Sequence, residues 1–254
     1  MQLLLSHQRI GFCHAPWCAV RKNKTDTSEM VTQLVFGETF EVNSQDHHWL
    51  EIQSYSDGYR GYIDRRHAIG ITEKECTIWH DAREISYQFQ IEIMSSWGKL
   101  RVPAGAYVGT NLQFNIGSEA FTLHEASHNI DPEAFLALML NVPYLRGGKT
   151  SFGIDCSGLT QLYFRWFGYH LPRYAKDQQA LGTSIELDEI QHNDAVFFQN
   201  PEGKITHVGI AQNPQEVIHA SGRVRIDRLL QGNIWNDEIQ EITHTFHSAI
   251  RILP

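Results

Sequence analysis

Gly153-Ile154-Asp155-Cys156-Ser157-Gly158-Leu159, running on to Leu162, Tyr163, Trp166 and Phe167, sets a cysteine on the first turn of a buried helix. From Leu159 to Phe167 the apolar residues recur at the helical spacing of three and four, the pattern of a helix with one face on a core. Gly168 supplies the stop. A thiol at a helix N-terminus lies beside unpaired backbone N–H groups and the positive end of the helix dipole, and both favour thiolate. A single buried cysteine is also an ordinary inert core residue, so the residues around it decide between nucleophile and filler.

Downstream of this helix come short apolar runs that read as strands: Ala195–Phe198, His207–Ala211, Glu216–Ala220 and a terminal Ala249–Leu253. His207 opens one run and His219 nearly closes the next, so a hairpin would bring the two imidazoles together. A thiol nucleophile needs a base that takes its proton and a third group that orients the base. Cys156, His207 and His219 can fill these roles. Just upstream, Asp131 and Pro132 open a second helix through Leu140, with Pro143 beyond its end. Helices followed by an antiparallel sheet make an α+β domain.

The first 125 or so residues differ in texture. Met30–Phe36, Thr39–Val42, Trp49–Ile52 and Gly61–Ile63 alternate between turn-forming residues, the signature of a small antiparallel β-barrel. Cys76–Trp79, Gln88–Ile93, Lys99–Val102 and Ala106–Val108 suggest a second barrel after a turn near Gly70, with no long helix required. The expected organisation is residues 1–68 and 69–125 as two barrels and 126–254 as the α+β domain.

With 254 residues, 42% of them hydrophobic, the chain can fill substantial cores. Its net charge of −8 argues against a nucleic-acid partner, which calls for clustered Lys and Arg. No apolar stretch approaches the ~18 residues that span a membrane, and the opening Met1–Arg9 breaks off after three leucines, so we expect no membrane partner, no leader peptide and a cytoplasmic protein. Four cysteines are too few for a disulfide scaffold; Cys13 and Cys18 could pair. Cys13-x₄-Cys18 with His14 could also be half a zinc site but lacks a second half, and the pairs His124/His128 and His47/His48 read as solvated surface. We expect no metal and no cofactor.

Asn141–Thr150, Gly153–Leu159, His207-Val208-Gly209-Ile210 and Ile218-His219-Ala220-Ser221 together resemble the NlpC family of papain-like cell-wall cysteine peptidases, in order and spacing, over about residues 126–254. The resemblance implies an α+β fold of papain-like, NlpC type, with Cys156 as nucleophile, His207 as general base and acid, and His219 as orienting group. It also implies that the Cys156 N–H, with the Ser157 region, holds the oxyanion. Arg146 stands where such proteins usually carry Trp.

Ser28–Glu38 and Asp57–Ile63 resemble the bacterial SH3-like domains of the subgroup that cleaves γ-D-glutamyl–diamino acid bonds in free muropeptides. That resemblance implies two small SH3-like β-barrels ahead of the peptidase domain. It also implies that Glu29, Tyr59, Asp155 and Ser157 recognise the free amine of an N-terminal L-Ala. An ammonium held by carboxylates would reject peptides whose L-Ala is still amide-linked. Tyr62 is the alternative to Tyr59. Arg173 either binds a substrate carboxylate or salt-bridges locally, and Ala175 stands where a small hydroxyl residue often contacts substrate. The expected partner is a small muropeptide, L-Ala-γ-D-Glu-diamino acid. The competing readings are a non-catalytic peptidoglycan-binding module and an amidase or transpeptidase of the same superfamily.

Overall fold

The computed structural model describes residues 9–126 and 130–254. His128 and the leucines of the opening stretch lie outside them. Two compact units divide the chain, one of residues 1–138 with 150–152 and the other of 139–149 with 153–254.

In the first unit, strands β1 (Ile10–Cys13), β2 (Trp17–Arg21), β3 (Met30–Val35), β4 (Thr39–Gln45), β5 (Trp49–Ser54), β6 (Arg60–Asp64) and β7 (Ala68–Ile71) form one antiparallel sheet in the order β3-β2-β6-β5-β4-β1-β7. Strict alternation of buried and open positions, as in β5, turns Leu50 and Ile52 onto Val20, Leu34, Phe40 and Ile63. This is the SH3-like, β-rich region the sequence implied. The turn expected near Gly70 is instead part of β7, where Gly70 pairs with Gly11.

Strands β8 (Arg83–Ile85), β9 (Gln90–Ser95), β10 (Gly98–Pro103), β11 (Tyr107–Gly109), β12 (Gln113–Ile116) and β13 (Glu119–Leu123) follow, in a four-stranded sheet β10-β9-β13-β12 and a pair β11-β8. Their core is shared with the first sheet: Phe12 and Phe36 pack with Ile91, Ile93, Val102 and Phe121. Cys76–Trp79, expected as a strand, lies instead in helix α1 (Glu73–Ala82). The cause is a capping box: Thr72 Oγ1 accepts from the Glu75 N–H at 3.2 Å, and Glu75 Oε2 accepts from the Thr72 N–H at 2.7 Å. Cys76 and Trp79, three apart, then share the buried side, and the Trp79 indole donates to Gly37 O at 2.8 Å. Cys13 and Cys18 are free thiols with their sulfurs 3.9 Å apart, and His14 Nε2 meets Arg66 O rather than a metal ligand.

Helix α2 (Pro132–Met139) starts at Asp131, whose carboxylate accepts from the Ala134 N–H. Two short strands, β14 (Lys149–Thr150) and β15 (Gly153–Ile154), lead into α3 (Cys156–Trp166), and a single turn, α4 (Ala175–Gln178), follows. Helix α2 belongs to the first unit up to Leu138, and the second unit continues through two 3₁₀ turns and the strands β16 (Thr183–Ile185), β17 (Ala195–Gln199), β18 (Ile205–Asn213), β19 (Glu216–Ser221), β20 (Arg223–Leu230), β21 (Asn233–Asn236) and β22 (Glu241–Arg251). The order β22-β17-β18-β19-β20-β21, with β21 pairing back onto β22, closes a six-stranded barrel.

The sequence pattern placed one face of α3 on a core. In the structure Cys156 through Arg165 are all buried. Buried polar groups of α3 find donors and acceptors nearby: Thr160 donates to Gln178 Oε1 at 2.7 Å, and Gln161 Nε2 donates to Leu171 O at 2.9 Å.

Candidate active site

Asp155 is the N-cap of α3, accepting from the Gly158 N–H at 2.8 Å, and this bond fixes Cys156 as the first helical residue. The backbone before the helix packs against it closely. A Cβ on Gly158 would lie 2.3 Å from Gly148 O, and one on Gly148 would lie 2.5 Å from Gly153 O, so only glycine fits at either position. Cys156 is 7% exposed and its thiol accepts from the Val208 N–H, next to His207 on β18. The helix end and the barrel strand thus bring Cys156 and His207 to the same place.

On the barrel, three adjacent strands carry a diagonal of polar groups. Gly209 lies opposite His219, and Val217 lies opposite Asp227, so His207, His219 and Asp227 step across β18, β19 and β20 on one face. Ala211, Val217 and Leu229 share that face and belong to one apolar cluster. His207 Nε2 is 2.8 Å from His219 Nδ1, and His219 Nε2 is 3.0 Å from Asp227 Oδ2. Arg225 Nη2 donates to Asp227 Oδ1 at 2.9 Å. His244, on β22, stacks on His207 with ring centroids 4.1 Å apart.

Burial dominates the electrostatics. It pushes the Cys156 thiol up to about 12, with the neighbouring Asp155 charge adding to it, against smaller lowering by the Val208 N–H, Arg173 and the Ser157 N–H. Burial likewise holds His207 well below its ordinary 6.5, helped by His219 and His244. The helix N-terminus favours thiolate, and in this enclosed setting desolvation opposes it more strongly, shifting the thiol towards its neutral form. Burial, with the charges of Cys156 and Asp155 adding to it, also raises the phenol of the exposed Tyr144 above its usual 10.0.

The other expected site residues are placed less uniformly. Asp155 accepts from five donors: Gly158 N, Ser157 Oγ and Arg173 Nη1 on Oδ1, and Gly147 N and Arg173 Nη2 on Oδ2. A carboxylate offers about four lone-pair sites, so this one is committed to its own loop. Arg173, 3% exposed, also donates to Ser157 Oγ at 2.8 Å and Gly148 O at 3.3 Å. Of its two expected roles, these bonds are those of the local ion pair. Ala175 starts α4 and is buried. In the first unit, Glu29 is exposed just before β3 and Tyr59 is half-buried in the loop before β6. Lys24 Nζ sits 5.5 Å from the centre of the Tyr62 ring, on the same sheet.

Asp227, Arg225, His244 and Tyr144 were not singled out from sequence. Asp227 and Arg225 sit in an alternating run, Arg223–Asp227, that looks like a solvated strand edge, and Tyr144 is one more aromatic in a loop. Among the described residues no cluster of three or more His, Cys, Asp or Glu side chains has the arrangement of a metal site.

Residues 141–244 match the NlpC/P60 family, and residues 20–67 match the bacterial dipeptidyl-peptidase SH3 domain. The chain is similar to a γ-D-glutamyl-L-lysine dipeptidyl-peptidase of Bacillus subtilis, 41% identical over 86 residues, which are 33% of this chain and 29% of that protein. It is also similar to a protein of the same name from Bacillus cereus, 21% identical over 234 residues, or 77% of this chain and 68% of that one. A crystal structure of an NlpC/P60 family protein from Bacillus cereus superposes with a TM-score of 0.78 at 16% identity, covering 96% of this chain and 100% of that one. At that identity the superposition speaks to fold. The chain therefore carries an NlpC/P60 domain, the α+β domain of a family of hydrolytic peptidases. More particularly, a bacterial dipeptidyl-peptidase SH3 domain lies ahead of that NlpC/P60 domain in the chain.

Proposed function

We propose that this protein is a cysteine peptidase that hydrolyses the γ-D-glutamyl–diamino acid bond of free muropeptides bearing an unblocked N-terminal L-Ala. The observation that carries the reading is the Cys156 thiol on the Val208 N–H beside a His207 hydrogen-bonded to His219 at 2.8 Å. In the first step the Cys156 sulfur attacks the γ-carbonyl carbon of D-Glu while His207 takes the thiol proton, so that charge separates only as the bond forms. Backbone N–H groups at the start of α3 receive the developing oxyanion. Collapse expels the diamino-acid amine, which leaves with the proton held by His207, and a thioester remains. Water, deprotonated by His207, then attacks the thioester carbon, the carbon–sulfur bond breaks, His207 returns the proton to the Cys156 sulfur, and L-Ala-D-Glu is released.

The free-amine requirement rests on Glu29, Tyr59, Asp155 and Ser157. All four roles are carried over from the family resemblance, and within the peptidase domain Arg173 donates to both Asp155 and Ser157, which orders the loop that carries them. On this reading the substrate is a released peptide and the reaction is a cytoplasmic recycling step. The names of the two Bacillus relatives, both γ-D-glutamyl-L-lysine dipeptidyl-peptidases, support the bond assignment.

The test is to incubate the purified protein with L-Ala-γ-D-Glu-diaminopimelate and with its N-acetylated form, and to identify the products by mass. Release of L-Ala-D-Glu from the free peptide alone supports the proposal. Equal cleavage of the acetylated peptide would remove the amine requirement, and full activity of Cys156→Ala would remove the mechanism.

A further inference from the structure

We propose that Asp227 is the positioning residue that fixes the tautomers of both histidines and thereby makes Nδ1 of His207 the catalytic base. The proposal deepens the cysteine-peptidase reading and rests on it.

The chain of reasoning runs from the buried end outward. Asp227 is 5% exposed, with Oδ2 on His219 Nε2 at 3.0 Å and Oδ1 on Arg225 Nη2 at 2.9 Å. Burial alone would raise this carboxyl, but the hydrogen bonds from His219 and Arg225 win and hold it below its ordinary 3.8. An ionised carboxylate only accepts. His219 Nε2 must then carry a hydrogen, and a neutral His219 is left with a bare Nδ1. That nitrogen faces His207 Nε2 at 2.8 Å, so His207 must donate through Nε2. Neutral His207 is left with its lone pair on Nδ1, the nitrogen pointing away from the relay.

Each link needs the one behind it. With an acceptor-only group at position 227 there is one consistent set of protons; with a group that can donate there are two, and the second puts the hydrogen of His207 on Nδ1, where a base must be bare. When His207 takes the thiol proton at Nδ1 it keeps the Nε2–H donated to His219. The new imidazolium then faces a relay that ends in a carboxylate. Arg225, held in turn by Glu238 Oε2 at 2.8 Å, keeps that carboxylate in place. The charged and titratable neighbours of this relay are Arg225 and Glu238 at its far end and His244 against the His207 ring.

The test combines kinetics with ¹⁵N NMR of histidine-labelled protein near neutral pH. In the wild type, His207 and His219 should both show a protonated Nε2 and a bare Nδ1. Asp227→Asn keeps the shape but can donate, and should lower kcat by about 10²- to 10⁴-fold with KM changed less than about threefold, as loss of an orienting carboxylate does elsewhere. Its His219 spectrum should show protonated Nδ1, and Asp227→Glu should recover part of the rate. A wild-type His219 protonated on Nδ1, or as imidazolium, would overturn the proposal even if no variant folds. So would an Asp227→Asn protein of near wild-type kcat. If instead the wild type shows no turnover that depends on Cys156, the peptidase reading fails, while the NMR still reports on Asp227.

Discussion

His244 lies flat against His207, ring centroids 4.1 Å apart and planes 27° from parallel, although they stand 37 positions apart in the chain. The contact exists because β22 closes the barrel and is only one strand, β17, away from β18. Phe198 on β17, opposite His207 in register, touches both rings at 5.8 and 6.0 Å. Aromatic pairs of this kind contribute about 0.5–1.5 kcal/mol beyond their buried area, enough to restrain the imidazole plane. His244→Phe, which keeps a flat ring, should therefore retain kcat within about threefold. His244→Ala should lose roughly tenfold, the rate equivalent of about 1.4 kcal/mol. Steady-state kinetics on the free muropeptide separates the two; equal loss in both variants would mean that the nitrogen rather than the ring matters.

The same buried histidines set an acid limit on stability. Burial holds His244 down at about 4 and His207 well below 6.5, whereas both titrate near 6.5 when the chain unfolds. Below about pH 6.5 the unfolded chain binds protons that the native one refuses, so stability falls as pH drops. The share from His244 keeps growing until about pH 4, where the native ring protonates too, and it is absent above 6.5. Asp227, lowered from 3.8, acts in a more acidic window. Urea midpoints at pH 7 and pH 4.5 should fall less for His244→Phe than for the wild type; parallel falls would show that His244 is not refusing the proton.

The site residues that were legible in sequence are those whose chemistry sits inside a periodic pattern. Cys156 opens a helical repeat, and His207 and His219 punctuate apolar strands, so type and spacing alone bring them together. Asp227 was not legible, because an acid in an alternating run reads as solvent-facing until barrel closure buries its face. His244 depends on the pairing of β21 with β22 and on the strand order, neither of which a local pattern encodes. The electrostatics of Cys156 divide in a related way. The helix N-terminus is a sequence feature, whereas the desolvation that opposes it comes from the whole unit.

Helix α1 was missed although Thr72-x-x-Glu75 stands in the sequence, because Cys76-Thr77-Ile78-Trp79 has strand-like composition. The capping box is what chooses between the two, and it seats Trp79 on Gly37 O. Thr72→Ala should cost about 1 kcal/mol, seen as a lower thermal midpoint, with kcat on the muropeptide unchanged. A midpoint equal to that of the wild type would show that the packing of Trp79 alone holds the helix.

Gly158 offers a test with a decided sign. In a helix, Gly→Ala ordinarily gains about 0.5–1 kcal/mol. Here the added Cβ would lie 2.3 Å from Gly148 O and 3.2 Å from Asp155 Oδ1, and the neighbour is backbone tied to Arg173. Overpacking of this kind costs about 1–3 kcal/mol, so Gly158→Ala should lower the thermal midpoint and, by shifting the first turn of α3, reduce kcat more than tenfold. A raised midpoint would show that the loop can move aside.

Glu29→Gln tests which carboxylate meets the substrate amine. Asp155 pairs with Arg173 in a bidentate arrangement at 2.9 and 2.6 Å, and Glu29 is exposed just before β3. If Glu29 holds the ammonium, Glu29→Gln should raise KM for the free peptide by roughly tenfold and shrink its advantage over the N-acetylated peptide, with the thermal midpoint unchanged. Asp155→Asn should instead lower stability, because it strips a buried arginine of its partner. A selectivity loss confined to Asp155→Asn would transfer the amine to Asp155.

The last test asks whether Cys156 rests as thiol or thiolate, and burial and four neighbouring groups bear on it with opposite signs. Burial and the Asp155 charge push the Cys156 thiol up to about 12, while the Val208 N–H, Arg173 and the Ser157 N–H pull it down by less. Burial also disfavours the imidazolium of His207 that a thiolate would need as its partner. An ion pair would thus have to desolvate two charges at once. The neutral pair requires only that a proton cross as the carbon–sulfur bond forms. Two observations follow. The ultraviolet thiolate band that disappears in Cys156→Ser should be absent at pH 7 and emerge only above the ordinary thiol range of about 9, and the acid limb of kcat/KM should lie below pH 6.5, because His207 must be neutral to act as a base. Rapid alkylation by iodoacetamide at pH 7, with the band already present, would mean that the start of α3 and Arg173 prevail over burial, and that the reaction begins from a preformed thiolate.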